Sequence, residues 1–200
     1  MRRRLIMLGL VAVCCLPACT PNGTDSSSPS PAVSSLTPDP STTPSATPTR
    51  TPSERDRAVE GATKAFADFL RQTDLVSQQG GAERLPAALR RLTTGPQTQQ
   101  SLRDARDIKS GNFRSSGFGR FVYPKAKTVQ DLSRDVSTVV LTGCIDQSAV
   151  SVTKGAKRYT KNPGYVHVTE ARIERRSGIW RVYIWGGDIV PRGFTCENYS

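Results

Sequence analysis

A segment rich in serine, threonine and proline limits where this 200-residue chain can fold. In residues 20–53, 25 of the 34 residues are Ser, Thr or Pro, and the sizeable hydrophobic side chains are Val33 and Leu36. Such a segment cannot bury enough apolar surface to offset the entropy lost on ordering, so we expect a disordered tether. Fully extended, it would reach on the order of 100 Å; it is either O-glycosylated or an unmodified spacer. One folded domain is therefore predicted, in residues 54–200.

Residues 1–18 have the layout of a bacterial export signal. Three arginines at positions 2–4 precede a 12-residue apolar run, Leu5 to Leu16. This run is typical of a signal-peptide core and too short to span a bilayer as a helix. The pattern leaves open whether export follows the general or the twin-arginine route. Either route would place the domain outside the cytoplasm.

The end of this signal, Leu16-Pro17-Ala18-Cys19, resembles the lipobox of bacterial lipoproteins. The resemblance implies cleavage just before Cys19, whose sulfur would carry fatty acyl chains such as palmitate. Residues 19–53 would then be a lipid-anchored tether on the extracytoplasmic face of the cell membrane. The alternative is an ordinary secretory signal cleaved near Ala18, which fits poorly because Leu16, three residues before the cut, is not small.

Basic residues outnumber acidic ones in the domain. Residues 54–200 contain 24 Lys and Arg against 15 Asp and Glu, a net charge of +9. The densest cluster surrounds Tyr159 and consists of Lys154, Lys157, Arg158 and Lys161. Such a surface favours anionic partners. Outside the cytoplasm these would be lipid headgroups or an anionic envelope polymer rather than nucleic acid, for which no recognition motif is present; alternatively, the charge only keeps the domain soluble.

Three helices are predicted at the start of the domain. Ser53 and Asp56 have the spacing of a capping box, and the apolar residues that follow predict an amphipathic helix over residues 54–72. A shorter helix is predicted over 85–92, and a third begins near residues 94–97. Strands are predicted after these helices, over residues 117–129, 136–145, 165–175 and 179–186. The expected fold class is α+β, with N-terminal helices packed on a curved antiparallel sheet.

The last two strands form a hairpin turned by Ser177-Gly178. A two-residue turn places three pairs opposite each other: Glu174 and Arg181, Ile173 and Val182, Ala171 and Ile184. The two apolar pairs share one face of the hairpin. If the strand continues with a period of two and without a bulge, three further residues lie on that face: Tyr165, His167 and Thr169. We therefore predict that these three residues line a pocket beneath the helices.

The five cysteines predict one disulfide. The first three belong to the signal and the acylation site, which leaves Cys144 and Cys196. Disulfides persist outside the cytoplasm, and a bridge would hold down the C-terminal tail, residues 190–200. The alternative is two unpaired thiols. A single His and the cysteine spacing predict no metal site, and no cofactor-binding motif is present.

The order of these elements resembles the cone-shaped α+β superfamily that includes nuclear transport factor two, scytalone dehydratase and ketosteroid isomerase. More narrowly, it is similar to exported actinobacterial lipoproteins of that superfamily. The matching residues are Gly143-Cys144-Ile145-Asp146-Gln147-Ser148 and Arg175-Arg176-Ser177-Gly178-Ile179-Trp180-Arg181-Val182. The resemblance covers residues 54–200 and implies a cone fold, which hosts enzymes, binding proteins and oligomerisation modules alike.

Three hypotheses for the function follow. We favour a non-catalytic module, tethered to the membrane, that binds a partner, an anionic envelope polymer or a small apolar ligand; its oligomeric state stays open. The resemblance also implies an isomerase or dehydratase, in which His167 and Tyr165 would act with a carboxylate from Asp146 or Asp188. Against this, Asp146 alternates away from the inner face and Asp188 lies past the predicted strand end. The third hypothesis is an accessory module for another cell-envelope protein.

Overall fold

In the computed structural model, which describes residues 51–161, 163–191 and 193–199, three helices precede seven strands and a final 3-10 turn. The signal segment, Cys19 and the tether up to residue 50 lie outside the described residues. The helices are α1 (Glu54–Gln78), α2 (Ala87–Leu92) and α3 (Gly95–Ser110). The strands are β1 (Phe113–Ser116), β2 (Arg120–Gln130), β3 (Val136–Asp146), β4 (Ser151–Lys154), β5 (Lys157–Lys161), β6 (Tyr165–Arg176) and β7 (Ile179–Ile189). The turn covers Cys196–Tyr199.

Helix α1 begins where the sequence predicted. The Ser53 hydroxyl accepts a hydrogen bond from the Asp56 amide, and the Asp56 carboxylate accepts one from the Ser53 amide, which completes the capping box. The helix runs to Gln78, six residues beyond the predicted end, because Val76 adds another buried contact. It stops at Gly80 and Gly81, whose φ of +81° is a backbone conformation that favours glycine.

The strands form two antiparallel sheets. A four-stranded sheet has the order β2-β3-β6-β7, and a three-stranded sheet has the order β1-β4-β5. Helix α1 packs on one face of the four-stranded sheet, and α3 and α2 contact β7. The predicted α+β fold class is confirmed. Val139, Leu141 and Ile145 of β3 belong to the same buried core cluster as the apolar residues of α1. Strands β1, β4 and β5 were not predicted from the sequence.

The hairpin register is as predicted near the turn and differs farther from it. Glu174 lies opposite Arg181 and Ile173 opposite Val182. Ala171, however, lies opposite Trp185 instead of Ile184. Tyr183 is the extra residue of a β-bulge, and this insertion shifts the pairing by one.

The predicted disulfide joins Cys144 to Cys196, with a Cα–Cα distance of 5.5 Å. Cys144 lies on the face of β3 that points away from α1, so the C-terminal tail crosses this outer face of the sheet. The tail contacts β2, β3 and β6 there, and Val190 and Cys196 are both buried. The bridge therefore fixes the tail as a cover over the outer face.

No helix in the described part of the chain is both long enough and apolar enough to cross a membrane.

Candidate functional site

Aromatic side chains fill the layer between α1 and the four-stranded sheet. The Phe66 ring is fully buried and lies 4.8 Å from the Phe121 ring and 5.9 Å from the Trp185 ring, measured between centroids. Gly143 makes room for this packing, because a Cβ atom there would come within 2.6 Å of the Phe121 ring. The layer between α1 and the four-stranded sheet is thus largely occupied by the protein's own rings.

A small cleft remains at the C-terminal end of α1. Its volume is about 100 Å³, roughly the share of three liquid water molecules. Its walls combine apolar side chains with one carboxyl group and one amide: Leu70, Thr73, Asp74, Gly119, Ile145, Gln147, Val166 and Trp185. The cleft is the part of the inner layer where a polar reaction could take place.

Asp74 is the titratable group of this cleft. Burial raises the pKa of Asp74 above its usual range, and a hydrogen bond from the Gly119 amide, at 2.9 Å, partly offsets that rise. A carboxyl with a raised pKa can give and take a proton closer to neutral pH. Asp74 was not predicted as a site residue, although its position four residues after Leu70 places it on the buried stripe of α1.

Replacing Asp74 with Asn should change how stability depends on pH. As the pH rises from about 3 to about 7, the unfolded state loses the Asp74 proton first, because the folded-state pKa is raised. Ionisation of Asp74 therefore lowers the free energy of unfolding of the wild type over that pH range, and the variant lacks this contribution. The free energy of unfolding of Asp74→Asn minus that of the wild type should increase with pH in urea titrations. Asp68→Asn, which removes an exposed carboxylate paired with Lys64 on the same helix, should produce no such increase. If the difference from the wild type depends on pH in the same way for both variants, the raised pKa of Asp74 is contradicted.

The predicted pocket of Tyr165, His167 and Thr169 is wrong. The side of β6 that faces α1 carries Val166 and Val168 instead. The reason is a second β-bulge: Val168 pairs with Gly187 and Glu170 with Gly186, so Thr169 is the extra residue. This insertion turns the first part of β6 over and leaves Thr169 exposed, with its hydroxyl donating to the Gly186 carbonyl at 3.2 Å.

Tyr165 and His167 lie on the outer face of the sheet. His167 stands between Cys144 and Asp188 on the neighbouring strands. Asp188 is therefore within β7, which is longer than predicted, and not past its end. Tyr165 borders a cavity of about 240 Å³ beneath the tail, together with Asp146 and Cys196.

Asp146 points away from the inner face, as its alternation in β3 predicted. Its carboxylate accepts a hydrogen bond from the Arg120 guanidinium at 2.8 Å and from the Ser148 amide at 2.8 Å. Burial opposes ionisation, but these bonds together hold the pKa of Asp146 below its usual range. The predicted His, Tyr and Asp residues thus share the outer face, across the sheet from Asp74.

Among the described residues, no three His, Cys, Asp or Glu side chains come together as metal ligands.

The three-stranded sheet β1-β4-β5, hereafter the basic sheet, carries the cationic cluster seen in the sequence. Its strands contain no acidic residue and five basic ones: Arg114, Lys154, Lys157, Arg158 and Lys161. The Lys154 ammonium lies 5.3 Å from the centroid of the Phe113 ring, which meets the Tyr159 ring edge-on at 5.3 Å. Tyr159 is 52% exposed. The basic sheet therefore combines cations with solvent-accessible aromatic surface.

No protein-family model matches this chain, and the curated proteins give no match to it. Among solved structures, it is similar to the intermembrane space region of the chloroplast protein ARC6. The sequence identity is 8% and the TM-score 0.44, over 66% of this chain and 97% of that one. A likeness at that level carries no argument about function.

Proposed function

We propose that this protein is an exported lipoprotein, anchored through Cys19 to the extracytoplasmic face of the cell membrane, whose domain binds a partner at its surface without catalysis. We further propose that the domain is a divergent member of the superfamily of nuclear transport factor two. The observation that carries the binding function is the filled inner layer. Because Phe66, Phe121 and Trp185 occupy it, a partner is left with the outer surface, where the strands of the basic sheet carry basic residues and no acidic one.

The disulfide supports the proposed compartment. Bridges such as Cys144–Cys196 persist in oxidising environments and are rare in the cytosol. The lipobox-like Leu16-Pro17-Ala18-Cys19 supports the anchor. A surface-binding module tethered in this way would suit an accessory role beside another envelope protein, as well as contact with an anionic polymer.

Cys19→Ala should move the protein from the membrane fraction to the medium. Without the sulfur no acyl chain can be attached, and two acyl chains are what make membrane anchoring stable. The measurement is an immunoblot of salt-washed membranes and of medium, because the wash removes protein held only by charge.

Cys15→Ala is the matched control, since it removes a neighbouring cysteine outside the lipobox frame and should leave the protein on the membrane. Retention of Cys19→Ala on salt-washed membranes would contradict the anchor. Release of both variants would place the effect in the signal sequence as a whole.

The Asp74 cleft favours a second candidate function, proton transfer of the isomerase or dehydratase type. Its support is a partly buried carboxyl with a raised pKa beside the apolar side chains of Leu70 and Trp185. Native mass spectrometry of the mature chain tests it. A small molecule that co-purifies with the wild type and with Asp68→Asn, but not with Asp74→Asn, would favour this function over surface binding.

A further inference from the structure

We propose that the basic sheet docks on an anionic lipid bilayer, so that the domain contacts the surface of the membrane that anchors it. This inference rests on the proposed extracytoplasmic anchor, and it names the partner that the surface of the domain binds. Three observations carry it: the charge of the basic sheet, its aromatic side chains and its place relative to the start of the domain.

Four charges of the basic sheet have no anionic partner among the described residues. Arg114, Lys154, Lys157 and Arg158 are exposed, and none of them forms an ion pair with a carboxylate of the described residues. Six cations elsewhere do have a carboxylate partner, among them Arg120 with Asp146 and Lys109 with Glu83. Cations that lack an internal partner remain available to an anionic surface, and their attractions to it add.

The aromatic side chains favour a bilayer over a soluble anionic polymer. Tyr159 is exposed and stacks edge-on against Phe113, beside the Lys154 ammonium. Tyrosine is enriched at membrane–water interfaces because its ring enters the headgroup layer while its hydroxyl stays hydrated. Lysine stems likewise lie along apolar surface with the charge at headgroup level. A polymer of charged units in water would use the cations but give the rings no apolar layer to enter.

The basic sheet is within reach of the membrane while the anchor is in place. The Gln78 amide donates to the Gly117 carbonyl at 2.8 Å, and Gly80 lies against Arg114, so β1 sits at the C-terminal end of α1. The predicted tether joins the opposite end of that 25-residue helix, roughly 37 Å away. A 34-residue tether rich in proline would be extended, and its full reach, on the order of 100 Å, exceeds the length of the helix. Tethering therefore holds the basic sheet at a high effective concentration near the bilayer.

The test uses the mature chain with Cys19→Ala, which has no acyl group. Its partition onto phosphatidylglycerol–phosphatidylcholine vesicles is compared with that onto pure phosphatidylcholine by co-sedimentation. The test variant removes three charges of the basic sheet: Lys154→Gln, Lys157→Gln and Arg158→Gln. The control removes three exposed charges elsewhere: Arg55→Gln, Lys125→Gln and Lys127→Gln. We expect the test variant to lose on the order of 100-fold in partition onto anionic vesicles, about fivefold per charge, and the control to lose less than tenfold.

Wild-type binding should also disappear at high salt and on neutral vesicles. The proposal is overturned if the wild type does not bind anionic vesicles, if the two triple variants lose binding equally, or if a soluble phosphodiester polymer binds the chain while vesicles do not. Should the triple variant unfold, Lys157→Gln alone provides the same test with an expected fivefold loss. Failure of the anchor is seen separately, as retention of Cys19→Ala on salt-washed cell membranes.

Discussion

Replacing Phe66 with alanine is expected to lower the free energy of unfolding by about 3–5 kcal/mol, because it empties the centre of the layer between α1 and the four-stranded sheet. Phe66 is fully buried and contacts the rings of Phe69, Phe121 and Trp185. Losing it removes both the buried area and the edge-to-face ring contacts. Domains of this size are stabilised by only about 5–15 kcal/mol in total, so the variant should be close to unfolding.

Urea denaturation followed by tryptophan fluorescence measures this loss. Phe194→Ala is the control, since the same truncation at a half-exposed position should change the free energy of unfolding by about 0.5 kcal/mol or less. A loss below about 1 kcal/mol for Phe66→Ala would mean that the inner layer is not packed as described. The inner layer would then be open to a ligand, and the case for surface binding would fail with it.

Removal of the disulfide should have an effect of similar size. The bridge joins residues separated by 52 positions, and in the chain-entropy model such a cross-link stabilises the folded state by about 4 kcal/mol. The double variant Cys144→Ala, Cys196→Ala should lose most of this. Val190 and the tail would in addition lose their hold on the outer face.

Dithiothreitol separates the bridge from the two side chains. Reduced wild type should unfold at the same urea concentration as the double variant, and the variant should not respond to the reductant. If thiol titration of the denatured, unreduced protein finds two free thiols per chain, or if reduction leaves the wild-type midpoint unchanged, the bridge contributes nothing in solution.

Local sequence signals were enough for the start of α1 and for the turn of the last hairpin. The Ser53–Asp56 capping box and the apolar stripe of α1 depend on residues within two helical turns of one another. The Ser177-Gly178 turn fixes the pairs nearest to it, Glu174 with Arg181 and Ile173 with Val182. Because these determinants are close in sequence, no knowledge of the rest of the chain was needed.

The face of the sheet on which the predicted site residues lie could not be predicted from local sequence patterns, because it depends on two β-bulges. Thr169 and Tyr183 are residue types common in β-strands, and the residues next to them in sequence do not predict a β-bulge. A β-bulge bends the strand that carries it and places the residues beyond it on the opposite face from the one that strict alternation predicts. One extra residue then exchanges His167 for Val168 on the inner face.

Patterns in the sequence were sufficient to predict the α+β class, the capped first helix, the register next to the hairpin turn and the pairing of Cys144 with Cys196. The helix, the register and the fold class follow from short-range patterns. The disulfide was predicted because only two cysteines remain once the signal and the acylation site are set aside. The tertiary structure alone decided which face Tyr165 and His167 occupy, that Asp74 borders the remaining cleft, and that the Lys154–Lys161 cluster lies on a separate sheet with β1. These depend on contacts between residues from 19 positions apart, as for Asp146 and Tyr165, to 45 positions apart, as for Asp74 and Gly119. The geometry of such contacts is set by packing and not by the local order of side chains.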